Sequence, residues 1–260
     1  MRYPIVLMHG FGVLAGMRRG GHLYGAASHL RQHGIAAFAP NVAPYNTVEF
    51  RTAMWRRRIQ HVLDVTRRTK VNLVAHSMGG LDARYLVSIE GFHRHVASLT
   101  TIATPHHGSC IASLVLSQPD VVREALADLA DWIGAQSVRD GEADFRKAIQ
   151  QLTPEFVQHR FNERVEDHPN VRYWSYSGAA GKGTRVSINP VLRFGNFHIF
   201  GIEGPNDGLV SAESARWGDW KGVVDADHAL QVGLSITPQP HFNSRAFFLE
   251  IARFLSSKGL

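Results

Sequence analysis

Residues 71–84, Val-Asn-Leu-Val-Ala-His-Ser-Met-Gly-Gly-Leu-Asp-Ala-Arg, constrain this chain more than any other stretch. Val71, Leu73, Val74 and Ala75 form a short apolar run after the charged Arg67-Arg68-Thr69-Lys70, the pattern of a fully buried strand in a parallel sheet. Ala75-His76-Ser77-Met78-Gly79-Gly80 follows at once, then a segment predicted helical from Leu81 to about Ser88. Strand, sharp turn and helix together are the setting of a nucleophile elbow, which holds a serine at strained backbone angles. Its neighbours two positions away must be small so that strand and helix can approach. Ala75 stands where glycine is usual and is nearly as small, while Gly79 and Gly80 leave room on the other side. An ordinary serine in a glycine-rich turn would show the same five residues, so partners elsewhere in the chain must decide.

The first hundred residues alternate strands and helices. Tyr3–Met8 reads as a core strand ending at His9-Gly10-Phe11-Gly12, and Ile35–Ala39 as a second strand closed by Pro40. Tyr24–His33 has helical spacing with Gly34 as its stop, and Thr47–Arg67 reads as a long helix. In that helix Phe50, Met54, Ile59, Val62, Leu63 and Val65 form the apolar flank, with the arginines facing water. Val96–Ala103 is another strand. This alternation predicts βαβ units and a mostly parallel central sheet flanked by helices, an α/β class.

Residues 110–168 change character. Three helical stretches, Ile111–Leu116, Asp120–Ile133 and Glu142–Glu166 with a break at Thr153-Pro154, follow without a strand between them. Such an insertion either packs on the sheet or forms a lid over an apolar pocket, and the lid or cap is the reading we carry forward. Val171–Ser177 returns to strand, Gly178–Gly195 reads as loop, and Gly204–Val210 as a turn at a strand end. Val223–His228 is a short strand followed by a histidine, and Ser244–Leu255 a closing helix. The whole, 1–260, reads as one domain carrying the insertion at about 110–168.

A serine hydroxyl becomes a useful nucleophile when an imidazole takes its proton and a carboxylate fixes that imidazole. After an elbow of this kind the chain order is serine, acid, histidine. Asp207, in a tight turn with Gly208, is the preferred acid; Asp225 and Asp227 are alternatives that crowd the histidine in sequence. Among 15 histidines only His228 and His241 follow Asp207, and His228, just past a strand, is preferred as base. His76 is expected to point away from the elbow. The backbone N–H groups of Phe11 and Met78 are placed to stabilise an oxyanion. His106-His107 is rejected as a metal site because adjacent histidines rarely share one ion and no carboxylate pair is near.

Composition adds bounds. A single cysteine, Cys110, excludes an internal disulfide, and no apolar run reaches the length of a spanning helix. The first residues carry no signal-peptide pattern, which favours a cytoplasmic setting over a secreted mature form. The formal charge of +6 includes Arg56-Arg57-Arg58, which within a helix cannot all face one way. No nucleic-acid motif accompanies these arginines, so they read as a solvated face and no nucleic-acid partner is expected.

Val74–Tyr85, Thr100–Ser109 and Asn206–Val210, together with Pro4–Gly12, resemble the bacterial triacylglycerol lipases and the yeast mitochondrial lipase group. The resemblance runs over nearly the whole chain. It implies an α/β-hydrolase fold with a helical lid, and carboxylic ester hydrolysis through an acyl-enzyme. Lipid or small ester substrates, transient contact with a lipid interface and no cofactor are implied with it. Carried over by position, it makes Ser77, Asp207 and His228 the triad and Phe11 and Met78 the oxyanion donors. Many secreted relatives hold calcium through an aspartate two residues after the histidine. Leu230 stands there and cannot ligate, so no metal site of that kind is expected.

Overall fold

The computed structural model describes residues 1–12, 23–117, 142–234 and 241–260. The expected helix Asp120–Ile133 lies outside these residues. In chain order the elements are β1 (Ile5–Met8), α1 (Tyr24–Gln32), β2 (Ala37–Phe38), α2 (Val48–Thr66), β3 (Val71–His76) and α3 (Gly79–Ser88). Then come β4 (Val96–Ile102), α4 (Cys110–Ser117), α5 (Glu142–Gln150), β5 (Arg172–Gly178), α6 (Arg193–Glu203), β6 (Asp219–Val224) and α7 (Ser244–Ser257). The sheet has the order β2-β1-β3-β4-β5-β6, and every neighbouring pair is parallel. β1, β3 and β4 are buried at every residue, which explains why they carry no charged side chain and are mostly apolar.

Alternate strand residues feed two separate cores, as the two-residue strand period requires. Ile5, Leu7 and Val74 join Ala27 and Leu30 of α1 and Phe248, Ile251 and Leu255 of α7 on one face. Val6, Met8, Leu73 and Ala75 join Trp55, Ile59 and Leu63 of α2 and Ala83 and Leu86 of α3 on the other. Each Val, Leu, Ile, Met or Phe side chain among them removed from water contributes about 1.5–3 kcal/mol. No helix among the described residues is long and apolar enough to cross a membrane.

Three sequence expectations are corrected. In α2, Phe50 and Val65 are exposed, whereas Arg51 is fully buried beside Trp55. The apolar stripe runs through Val48, Thr52, Trp55, Ile59, Val62 and Leu63, and Arg51 completes it because Asp82 of α3 neutralises its charge at 2.8 Å. Residues 193–203, read as the end of a loop and an unassigned stretch, form α6; Gly195 and Gly201 had lowered its helical signal. The turn carrying Asp207 therefore follows a helix, not a strand. The last strand ends at Val224, so His228 sits on a turn four residues beyond it rather than directly on a strand end.

Candidate active site

The C-terminal ends of β1 and β3 meet at Ser77. Its φ of 56° lies in the left-handed region, a strained conformation for a residue with a side chain. The neighbours hold it there. Ser77 N–H donates to the Ile102 carbonyl at 2.9 Å, and Thr104 Oγ1 donates to the Ser77 carbonyl at 2.8 Å. Two glycines allow the approach. A Cβ at Gly79 would lie 2.8 Å from the carbonyl oxygens of Met8 and His9, and one at Gly10 would lie 2.6 Å from Ser77 Cβ. The small residues around the elbow thus serve contact with β1 as much as the turn itself.

The loop after β1 is fixed by its own histidine. His9 Nε2 accepts from the Val42 N–H at 3.1 Å, so Nδ1 carries the proton and donates to the Gly10 carbonyl at 2.9 Å. Arg51 Nη2 donates to the His9 carbonyl at 2.7 Å. Met78 is buried at the start of α3, and a Cβ on Gly10 would stand 3.0 Å from its nitrogen. The backbone hydrogen bonds of the described residues include none donated by Phe11 or Met78. The Phe11 ring packs edge-on against Tyr45 at 5.0 Å and against Phe145 of α5 at 5.3 Å, tying the insertion to this loop.

Asp207 and His228 meet in the interior. Asp207 is 0% exposed and its Oδ2 lies 2.7 Å from His228 Nδ1. Its Oδ1 accepts from the Leu209 and Val210 N–H groups at 3.0 and 2.8 Å, and the His228 N–H donates to the Asp207 carbonyl at 3.0 Å. A carboxylate accepting several N–H bonds is fixed in rotation, and the histidine it binds is fixed in tautomer. The alternative acids differ. Asp227 spends its carboxylate on the backbone N–H groups of Asn189, Ala229 and Leu230, which caps the short turn Leu230–Val232, while Asp225 is exposed. His241 is exposed as well. The structure brings the elbow to this pair through His76: its ring lies 4.5 Å from that of His228, against the expectation that it points away.

Several supporting residues gave no sequence signal. Asn196 of α6 donates to the Asn206 side chain at 2.9 Å, and Asn206 in turn accepts from the Gly208 N–H at 2.9 Å, so α6 anchors the Asp207 turn. The anchoring is steric too, because a Cβ on Gly195 would fall 2.1 Å from the Gly208 carbonyl oxygen. Gln231 reaches Asp207 Oδ2 at 3.1 Å. The Asn196–Asn206 and Gln231–Asp207 bonds join parts of the chain that only folding brings together.

His106 is fully buried. Its Nε2 lies 3.0 Å from Thr101 Oγ1 and its Nδ1 3.4 Å from Arg84 Nη1, and burial first, then the Arg84 charge, holds its pKa well below the ordinary histidine value. Arg84 stacks on Trp217 at 3.6 Å and donates to Asn162 and the Val165 carbonyl, with burial lowering its own pKa to about 10. This cluster joins the elbow helix to the end of the insertion. Leu230 is buried, and among the described residues no group of three or more His, Cys, Asp or Glu could hold a metal ion.

Comparison with known proteins agrees with this geometry. Residues 45–118 match the model of the PGAP1-like alpha/beta domain. Triacylglycerol lipase 2 of Saccharomyces cerevisiae is 31% identical over 211 residues, covering 78% of this chain and 60% of that protein, so the chain spans only part of the yeast relative's length. The triacylglycerol lipase of Pseudomonas fragi is 36% identical over 264 residues, covering 88% of this chain and 86% of that protein. The crystal structure of the mature Bacillus licheniformis lipase BlEst2 superposes with a TM-score of 0.64 at 25% identity, covering 87% of this chain and 85% of that one. With a strained serine between a buried parallel strand and a helix, and the Pseudomonas fragi relative matched along most of its length, this chain belongs to the triacylglycerol lipase family of the α/β hydrolases.

Proposed function

We propose that this protein hydrolyses carboxylic esters of lipids through an acyl-enzyme on Ser77. The observation that carries the reading is the buried Asp207–His228 pair at 2.7 Å, packed through His76 against the strained turn that presents Ser77. His228 Nδ1 is engaged by the acid, so Nε2 remains for the serine proton. In the first step His228 takes that proton as Ser77 Oγ attacks the ester carbonyl. Asp207 stabilises the resulting imidazolium, and the N–H groups of Phe11 and Met78 stabilise the oxyanion. The imidazolium then protonates the leaving alcohol. Water, activated by the same histidine, releases the carboxylic acid and restores Ser77.

The helical insertion at about 110–168 acts in this reading as a cap of the single domain, with Phe145 of α5 contacting Phe11 beside the oxyanion donors. Acylglycerols and related esters are the substrate class suggested by the chain's similarity to triacylglycerol lipases, and contact with a lipid interface is the setting such substrates require.

Ser77→Ala should abolish hydrolysis of p-nitrophenyl esters, leaving at most the residual activity that binding and the oxyanion donors provide. Activity within a few-fold of wild type would refute the assignment. Supplying alcohols or thiols as acyl acceptors separates hydrolysis from acyl transfer on the same machinery, since only a transferase would favour them over water.

A further inference from the structure

Gln231 lies three residues after His228 and is fully buried. Its Nε2 donates to Asp207 Oδ2 at 3.1 Å and to the Ala226 carbonyl at 3.2 Å. Its Oε1 is buried without a hydrogen-bond partner among the described residues. Turning the amide over would set that oxygen against a carboxylate and a carbonyl, so the donor side must face Asp207. A leucine or methionine would fill the same volume without orphaning an oxygen, and volume alone therefore does not account for a glutamine here. The backbone also makes room for the amide: a Cβ at Gly178 would fall 1.9 Å from Nε2.

Oδ2 is the oxygen that His228 Nδ1 also binds, whereas Oδ1 is held by backbone N–H groups. We propose that Gln231 is a positioning residue for ester hydrolysis, fixing the Asp207 carboxylate and sharing its Oδ2 with His228 so as to set how strongly the base holds its proton. The inference rests on the triad reading above. A donor on Oδ2 draws charge from the carboxylate and weakens its hold on the imidazolium. The other titratable groups around the pair are His76, whose ring lies 4.5 Å from that of His228, and Asp227, which is held by backbone N–H groups, and Gln231→Met leaves both in place. Removing the donor makes Asp207 the better partner of a protonated His228, whose affinity for the proton rises.

The test compares Gln231→Met, Gln231→Glu and Asp207→Asn in p-nitrophenyl ester hydrolysis from pH 5 to 9, with circular dichroism to establish folding. Gln231→Met should move the acid limb of kcat/KM to higher pH by about half a unit or more and lower kcat roughly ten-fold, with KM within about two-fold. Gln231→Glu keeps the shape but sets a second carboxyl against Asp207, and its acid limb should move further still. Folded variants that keep the wild-type kcat and pH profile would overturn the proposal, since a space-filling role moves only the melting temperature. If Gln231→Met does not fold, Gln231→Glu decides on the same criteria. Asp207→Asn separates the two levels: a loss of about 10⁴ is expected of a triad acid, and near-full activity would sink the underlying reading instead.

Discussion

Neutralising Asp82 while keeping its shape probes how the elbow helix is held in place. Arg51 of α2 and Asp82 of α3 are both 0% exposed and meet at 2.8 Å, and Trp55 Nε1 donates to the same carboxylate oxygen at 3.0 Å. Arg51 also donates to the carbonyls of Ala43 at 2.6 Å and His9 at 2.7 Å, so one guanidinium ties α2, α3 and the loop after β1 together. Asp82→Asn retains an oxygen acceptor but leaves the guanidinium as an uncompensated buried charge. Removing one partner of such a pair costs about 3–5 kcal/mol. Near this chain size each kcal/mol lowers Tm by about 2–4 °C, so the variant should melt about 10 °C below wild type. Arg51→Met should cost a similar amount, because it leaves the buried Asp82 carboxylate without its counter-charge, with only Trp55 still donating to it, and the Ala43 and His9 carbonyls without the guanidinium donor. The double variant Arg51→Met/Asp82→Leu should lose less than the sum of the two, since neither unpaired charge survives in it. Thermal melts and urea titrations followed by circular dichroism at pH 7 measure all three. A single-variant shift below about 3 °C, or strict additivity, would refute the view that the pair acts as one unit.

Two further predictions follow from the surroundings of the site. His106 stays neutral in the folded protein, because burial and Arg84 hold its pKa well below the ordinary value, whereas the unfolded chain protonates it near about 6.5. Its contribution to stability is therefore complete above that pH and falls as pH drops below it. The Tm gap between wild type and His106→Gln should shrink from pH 7.5 to pH 5, and a constant gap in thermal melts would contradict this. Gly195→Ala would stabilise an ordinary exposed helix by about 1 kcal/mol. Here its Cβ would fall 2.1 Å from the Gly208 carbonyl oxygen, so the expected outcome is a lower Tm and reduced kcat through displacement of the Asp207 turn. An active, stabilised variant would show that the turn tolerates the shift.

Much of the fold was legible in the chain because its signals are local. The buried parallel strands announce themselves as short uncharged runs rich in strand-forming residues, and β1, β3 and β4 fall where those runs stand. The elbow is legible for the same reason: a serine between a strand and glycines needs only its immediate neighbours to be read. The residues chosen for the site sit as a buried acid–histidine pair and a strained serine turn, and their chain order had narrowed the search to a few candidates. α6 leaves little local signal because its two glycines lower intrinsic propensity; one of them, Gly195, is there for close backbone contact rather than for a bend. The burial of Arg51 is not legible in the sequence, because an arginine reads as solvent-facing until its partner 31 residues away is known.

The sequence by itself thus determined the strand–elbow–helix unit and the parallel α/β class, since both arise from spacing and residue size over a few positions. Only the tertiary structure decided which carboxylate meets His228, which face of α2 is buried, and that Asn196 and Gln231 stand behind the acid. Those outcomes depend on hydrogen bonds and ion pairs between segments far apart in the chain. A buried polar group is tolerable only where folding brings it a partner, and no local pattern records where that partner will be.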